Sequence, residues 1–243
     1  MTDAWEFYLT ELGDAPASIV LDLGLKEMAP DTERPWLLWV RIPMLRPRAE
    51  DGLSSSDEAP ELCALEEAIS DALGSYCGAI NVGHLTHQGI RDVLFYGRTN
   101  QDVPDVVETV ALKHVQRGVR VHCVHDPDWR HFLDVLCPSD DDLAWIEDRR
   151  AMDVLLDQGD LLDVPRKVRH RLHFDDADAR ARCLSAAAVL GFSGSPATDV
   201  ELVLTRMDCV ELEHIHAVSS TLRVLAREHG GIYGGWSCAP QYH

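Results

Sequence analysis

The densest group of residues that could take part in chemistry or binding is a glycine-rich aromatic segment, His229-Gly230-Gly231-Ile232-Tyr233-Gly234-Gly235-Trp236. Tyrosine and tryptophan combine an apolar body with one polar group, which suits them to interfaces. Glycines weaken a strand unless another group approaches the backbone or a bulge forms. Two interpretations stay open. In the first, Tyr233 and Trp236 fill the core and the glycines shape a bulge. In the second, Tyr233, Gly235 and Trp236 form a contact surface.

A second candidate lies in residues 166–174, where apolar and basic residues alternate with the period of a β-strand. One face would carry Val168, His170, Leu172 and Phe174, and the other would carry Lys167, Arg169, Arg171 and His173. The basic face is either solvated or contacts an acidic surface of the same or a neighbouring molecule. We therefore take His170, Arg169 and Arg171, with the aromatic segment, as candidate partner-binding residues.

The twelve histidines raise the question of a metal site. Zinc needs three or four converging donors in tetrahedral geometry, and His122 and His125, with Cys123 between them, are the best candidates. Each histidine could equally be an isolated surface or core residue. We expect neither a metal nor a cofactor.

No complete catalytic motif is present. Gly191-Phe192-Ser193-Gly194-Ser195 lacks the last glycine of a nucleophile elbow and follows a predicted helix rather than a strand. The sequence has no phosphate-binding glycine motif, no H-E-x-x-H and no EF-hand loop. Adjacent acids such as Glu66-Glu67 are expected by chance among 41 carboxylates. The sequence therefore predicts a protein without enzymatic activity.

The charge balance restricts the partners. The 243 residues include 22 Lys and Arg against 41 Asp and Glu, a formal charge of −19. Residues 1–149 hold 12 of the basic and 28 of the acidic residues. An acidic field repels phosphate backbones and anionic lipids, so direct binding to nucleic acid or membranes is disfavoured, whereas a basic protein partner is allowed.

The compartment is predicted from the cysteines and the amino-terminal residues. Seven dispersed cysteines without a CxxC pair are typical of reduced thiols. The segment MTDAWEFYLTEL has no basic run followed by an apolar core, and no stretch of about 18 apolar residues occurs. We expect a cytoplasmic protein.

Apolar periodicity and turn residues predict the elements that position these groups. In the front part, residues 1–140, we expect strands at 36–42, 78–86, 90–97 and 119–124, and helices at 60–76, 103–117 and 127–136. Two further strands, about 4–9 and 17–25, precede them. The rear part, 143–243, has predicted helices at 143–158, 177–190 and 209–228 and strands at 166–174, 200–204 and 231–238. We expect the order α-β-α-β-β-α-β, in which one of the two consecutive strands is not located.

Both parts contain the order β-α-β-β-α-β, which is typical of the split βαβ, ferredoxin-like arrangement. The predicted fold class is therefore α+β, with two tandem ferredoxin-like domains. Each would have an antiparallel sheet with helices on one face. The halves share this topology without a residue-level repeat.

The rear part resembles the regulator of ribonuclease activity B family over about residues 143–240. The resemblance is carried, in order, by Leu155-Leu156-Asp157-Gln158-Gly159, residues 166–174, Ala188-Val189-Leu190-Gly191-Phe192 and Gly231-Ile232-Tyr233-Gly234-Gly235-Trp236. Family members have a small ferredoxin-like α+β domain. The family usually has Asp at the position of Gly234, so this chain lacks that charge and any partner contact that would depend on it.

The front part resembles a bacterial family of unknown function that can precede the regulator domain. The residues that suggest it are Trp5, Tyr8, Gly83-His84-Leu85-Thr86, residues 91–96, Asp126-Pro127-Asp128-Trp129 and Leu136-Cys137-Pro138. This resemblance implies no activity.

The rear resemblance implies a regulator that binds an RNase E-type endoribonuclease of the RNA degradosome and lowers or redirects its activity. An acidic chain suits an Arg-rich partner segment. One alternative is a small-molecule or metal-binding protein with undetected enzymatic activity. Another is a homo-oligomeric scaffold that pairs its sheets.

Overall fold

The computed structural model describes residues 4–114 and 118–242, and the chain divides into two compact units, Met1–Asp142 and Leu143–His243. Two predicted segments extend beyond the described residues: positions 115–117 of the predicted helix 103–117, and the first three residues of the amino-terminal segment. No helix in the described ranges is both long enough and apolar enough to cross a membrane.

The first unit is built on a six-stranded antiparallel sheet with the order β1-β2-β4-β5-β3-β6. The strands are β1 (Trp5–Leu12), β2 (Ala15–Asp22), β3 (Trp36–Pro43), β4 (Ile80–His87), β5 (Ile90–Gly97) and β6 (Arg120–His125). The last four strands have the order of a ferredoxin-like sheet, and the hairpin β1-β2 extends it beside β4. The predicted β-α-β-β-α-β order is confirmed here.

Two helices, α1 (Ala59–Cys77) and α2 (Val103–His114), pack on one face of this sheet. The predicted apolar stripe of α1 is buried, and its members are Leu62, Leu65, Ile69 and Leu73. The helix begins with proline in its first turn and ends at Gly78, whose φ of 63° is the left-handed conformation that favours glycine.

The other face of the sheet is covered by the segment that follows β6. Phe95 belongs to the core under α1, so the next residue, Tyr96, points to the opposite face. There Tyr96 stacks on Trp129, with ring centroids 4.1 Å apart, and Trp129 meets the edge of Phe132. The predicted helix 127–136 is shorter than expected. Trp129 has a φ of 54°, which no helix tolerates, so only a π-helical turn, Phe132–Leu136, forms.

The second unit has a four-stranded antiparallel sheet with the order β10-β7-β9-β8. Its strands are β7 (Arg166–Phe174), β8 (Ser193–Pro196), β9 (Glu201–Asp208) and β10 (Gly231–Ser237), and its helices are α3 (Asp140–Asp157), α4 (Ala177–Val189) and α5 (Leu212–Glu228). The strand order is again that of a ferredoxin-like sheet.

Strand β7 alternates strictly between buried and exposed residues, as predicted, with His170 among the buried ones. Helix α4 begins where Asp176 accepts hydrogen bonds from the backbone N–H groups of Asp178 and Ala179. The apolar side of β7, α4 and α5 forms the core, around Leu172, Leu204 and Leu222. The predicted α+β class is confirmed, with two antiparallel sheets.

Candidate partner-binding site at strand β10

A bulge in β10 decides where its aromatic side chains point. The pairing with β7 shifts register between Tyr233 and Trp236, and Gly235 there has a φ of +97°, a conformation that only glycine adopts without strain. In a regular strand, positions 233 and 236 would face opposite sides of the sheet. The extra residue lets both side chains reach the side covered by the helices.

Trp236 is held there by a buried carboxylate that sequence reasoning missed. The indole Nε1 donates to Oδ1 of Asp148 at 2.8 Å, and the hydroxyl of Ser219 donates to Oδ2 at 2.5 Å. His216 places Nδ1 3.0 Å from the same Oδ2. Asp148 is only 1% exposed, so these groups, rather than water, satisfy its carboxyl oxygens. One side chain therefore ties α3, α5 and β10 together.

Tyr233 meets the buried His170 on the neighbouring strand. Its hydroxyl lies 2.8 Å from Nδ1 of His170, while Nε2 has no hydrogen-bond partner in the described structure. Burial lowers the pKa of His170 to about 4, so the imidazole is neutral at pH 7. Burial also raises the pKa of Tyr233. The pair is therefore a neutral hydrogen-bonded contact in the core.

A cavity of about 420 Å³ opens beside these residues. It is lined by Glu147, Asp148, Ala151, Arg223, Tyr233, Gly234, Gly235 and Trp236. Arg223, which is part of this wall, shows how a guanidinium group can be bound there. Its guanidinium donates to Glu147 at 2.8 Å and lies over the ring of Tyr233, 4.9 Å from the centroid. A carboxylate beside an aromatic face is the chemistry that binds a guanidinium group.

The structure brings together some of the predicted partner-binding residues and separates others. Tyr233, Gly235 and Trp236 line the cavity, and His170 supports Tyr233 from behind. Arg169 and Arg171 lie on the exposed face of β7, opposite to His170. They belong to a separate basic surface on the open side of the sheet.

Gly234, where the resemblance leads us to expect Asp, packs closely against β7. A Cβ at this position would lie 2.8 Å from Nε2 of His173. An acid here would therefore project beside the imidazole of His173, which is exposed on the basic face. Its absence leaves that face without a carboxylate at position 234.

Among the described residues, Asp148, His216 and Ser220 are arranged in the order of an Asp-His-Ser catalytic triad. Asp148 contacts Nδ1 of His216, whose Nε2 lies 3.5 Å from the hydroxyl of Ser220. That distance is too long for a strong hydrogen bond. Ser220 also lies inside α5, where the helix occupies the backbone N–H groups that an oxyanion would need. The geometry does not support a serine nucleophile.

The two histidines that were candidates for a zinc site do not converge. His122 and His125 are exposed on β6, and their odd spacing turns them to opposite faces of the strand. His125 instead packs against Trp36, with ring centroids 4.9 Å apart. Across residues 4–114 and 118–242, no group of three or more His, Cys, Asp or Glu side chains is placed to hold a metal ion.

The fold and these contacts define a protein of two α+β units, the second of which carries an aromatic and acidic cavity. Comparison with known families gives a more particular assignment. Residues 3–137 match the model of a family of unknown function, DUF695, and the chain belongs to that family. Residues 145–238 match the model of the regulator of ribonuclease activity B family. Both predicted resemblances are confirmed. A search of curated proteins gave no match.

Proposed function

We propose that this chain is a non-catalytic regulator that binds an RNase E-type endoribonuclease of the RNA degradosome and modulates its activity. The observation that carries the proposal is the match of residues 145–238 to the regulator of ribonuclease activity B family. The second unit does its work by binding protein, in the cytoplasm, where the seven thiols stay reduced.

The partner contact is an Arg-rich segment of the nuclease. The β10 cavity supports this choice, because it already pairs Arg223 with Glu147 over an aromatic ring. The side chain of Glu147 is 63% exposed, which leaves one oxygen for a guanidinium from outside. Occupying arginines that otherwise bind RNA phosphates lowers RNA binding by the nuclease.

Charge supplies the long-range attraction. The chain has a net charge of −19, and most of the excess acid lies in residues 1–149. A basic segment is therefore attracted to the front unit as well as to the cavity. The same field disfavours direct binding of RNA.

The test measures binding of the full chain to a purified RNase E-type nuclease and to a peptide from its Arg-rich segment. We expect binding to weaken about tenfold or more between about 50 and 200 mM salt, because exposed charges are screened. We also expect the cleavage rate of a single-stranded RNA to change when the chain is added. A nuclease that neither binds the chain nor changes its cleavage rate would refute the proposal.

Two variants locate the contact. Glu147→Gln removes the exposed carboxylate of the cavity and should weaken peptide binding about three- to tenfold. Glu213→Gln is the matched control, because it removes one exposed charge from α5 outside the cavity. Equal losses in the two variants would show that only net charge matters and would remove the cavity from the proposal.

A further inference from the structure

A cavity of the first unit has no part in the proposed function. Its volume is about 970 Å³, and it lies between α1, β4 and the segment that follows β2. Cavities of about 300–1,000 Å³ hold typical small-molecule ligands. Most of its wall is carbon, contributed by Trp5, Val20, Leu25, Met28, Pro30, Ile80 and Trp129.

One side of the cavity carries an ordered polar cluster around Glu66 of α1. Its carboxylate accepts from Nδ2 of Asn81 at 3.0 Å and lies 3.0 Å from Nδ1 of His84. Arg91 approaches the other oxygen at 3.5 Å. Burial alone would raise the pKa of Glu66, but the hydrogen bond and charge of His84, the hydrogen bond from Asn81 and the charge of Arg91 outweigh it and lower the pKa. The cluster therefore contains a carboxylate.

This cluster fixes the hydrogen-bonding role of His84. A carboxylate can only accept, so Nδ1 of His84 carries the proton that it shares with Glu66. A carboxylate that orients a histidine in this way is a common arrangement where a ring nitrogen must meet a ligand.

Carboxylates predominate among the other charged groups of the wall. Glu67 adds an exposed carboxylate, and Asp22, almost fully buried, accepts from the backbone N–H of Gly24 at 3.2 Å. The guanidinium of Arg34 is already engaged, since it donates to Asp31 and to the carbonyl of Gly78. The hydroxyls of Thr32 and Ser70 in the wall can donate as well as accept, so it is the carboxylates that favour one charge of ligand over the other.

We propose that this cavity binds a small organic amine, whose ammonium group donates to Glu67 while its apolar body lies against the exposed side chains of Trp5 and Met28. The charges support a cation, since the four carboxylates Asp22, Asp31, Glu66 and Glu67 face two arginines, Arg34 on Asp31 and Arg91 on Glu66. The ring of Trp5 adds attraction for an ammonium group. The proposal uses no residue of the β10 cavity and is independent of ribonuclease binding.

The experiment titrates the full chain with three amines: 2-phenylethylamine, tryptamine and hexylamine. Each is compared with the alcohol and the carboxylate of the same carbon skeleton, by calorimetry and by ligand-observed NMR. We expect at least one amine to bind about tenfold more tightly than its alcohol, and the carboxylates to bind most weakly. If no amine binds at millimolar concentration, or if the alcohols bind equally well, the proposal is overturned.

Paired variants separate the cavity from the general acidity of the chain. Glu67→Gln removes a wall carboxylate from an exposed position, so it should fold normally and weaken amine binding about three- to tenfold. Asp71→Asn removes an exposed carboxylate one turn further along α1, outside the cavity, and should leave binding unchanged. Equal losses in both variants would show non-specific attraction and overturn the proposal.

Discussion

Replacing Asp148 with alanine should destabilise the second unit by about 3–5 kcal/mol. The substitution removes the acceptor of the Trp236 indole at 2.8 Å and of the Ser219 hydroxyl at 2.5 Å, and it separates Nδ1 of His216 from its carboxylate. A hydrogen bond to a charged group contributes roughly 1.5–3 kcal/mol, and these bonds are not additive because they share one carboxylate. Ser219 keeps a second acceptor, the carbonyl of His216 at 3.1 Å, which limits the loss.

Asp148→Asn is the informative companion. Its carbonyl oxygen can still accept from Trp236, and its amide can donate to the Ser219 hydroxyl, so we expect a loss of only about 1–2 kcal/mol. The assay is urea unfolding of the full chain, monitored by the hydrogen exchange of peptides from α5 and β10. Peptides from α1 provide the reference for the first unit. Equal losses in the alanine and asparagine variants, or a loss below about 1 kcal/mol for alanine, would refute the assigned network.

Four further substitutions test other parts of the fold. The unfolded chain binds a proton at His170 near pH 6.5 and the folded chain only near pH 4, so the second unit should lose about 3 kcal/mol as pH falls through this range. The urea midpoint of the second unit should fall over the same pH range, and His170→Leu should reduce this dependence of the midpoint on pH. Asp160→Ala breaks the buried pair with Arg166, whose atoms lie 2.5 Å apart, and should cost about 3–5 kcal/mol in the same unfolding assay. Gly83→Ala should destabilise the first unit by roughly 2–4 kcal/mol, because φ is +148° and a Cβ would lie 2.3 Å from a carbonyl of β2. Gly13→Ala, with nothing within 4 Å, should cost about 1 kcal/mol, and thermal unfolding that ranks the two glycines in reverse would contradict the placement of β2.

Periodicity predicted the elements with strong apolar patterns and missed those without one. The alternation in β7 and the stripe of α1 gave both elements close to their observed bounds. Strand β8, Ser193–Pro196, was not located, because all four residues are exposed and the strand is held at the sheet edge by backbone pairing with β9. A segment without apolar residues gives no periodic signal.

The candidate site was predicted for its aromatic residues but not for the acid that holds them. Asp148 lies within the acidic and basic run of α3, which favours the interpretation of a solvated face. Its spacing from Ala144 and Leu155 places it on the buried side of that helix. The position of an acidic residue on the apolar face of α3 was therefore the sequence feature that could have indicated a buried carboxylate. The pairing of Glu66 with His84 joins residues 18 positions apart, and only the packing of α1 on the sheet reveals it.

The environments of the cysteines have a practical consequence for labelling. Thiols react as thiolates, and burial raises the pKa of Cys183 to about 11 and also raises the pKa of Cys77. Both therefore react slowly at neutral pH. Cys63 is exposed on α1 and forms part of the wall of the larger cavity. A brief treatment with a thiol-reactive fluorophore should therefore modify this position ahead of the buried cysteines and place a reporter in the cavity wall.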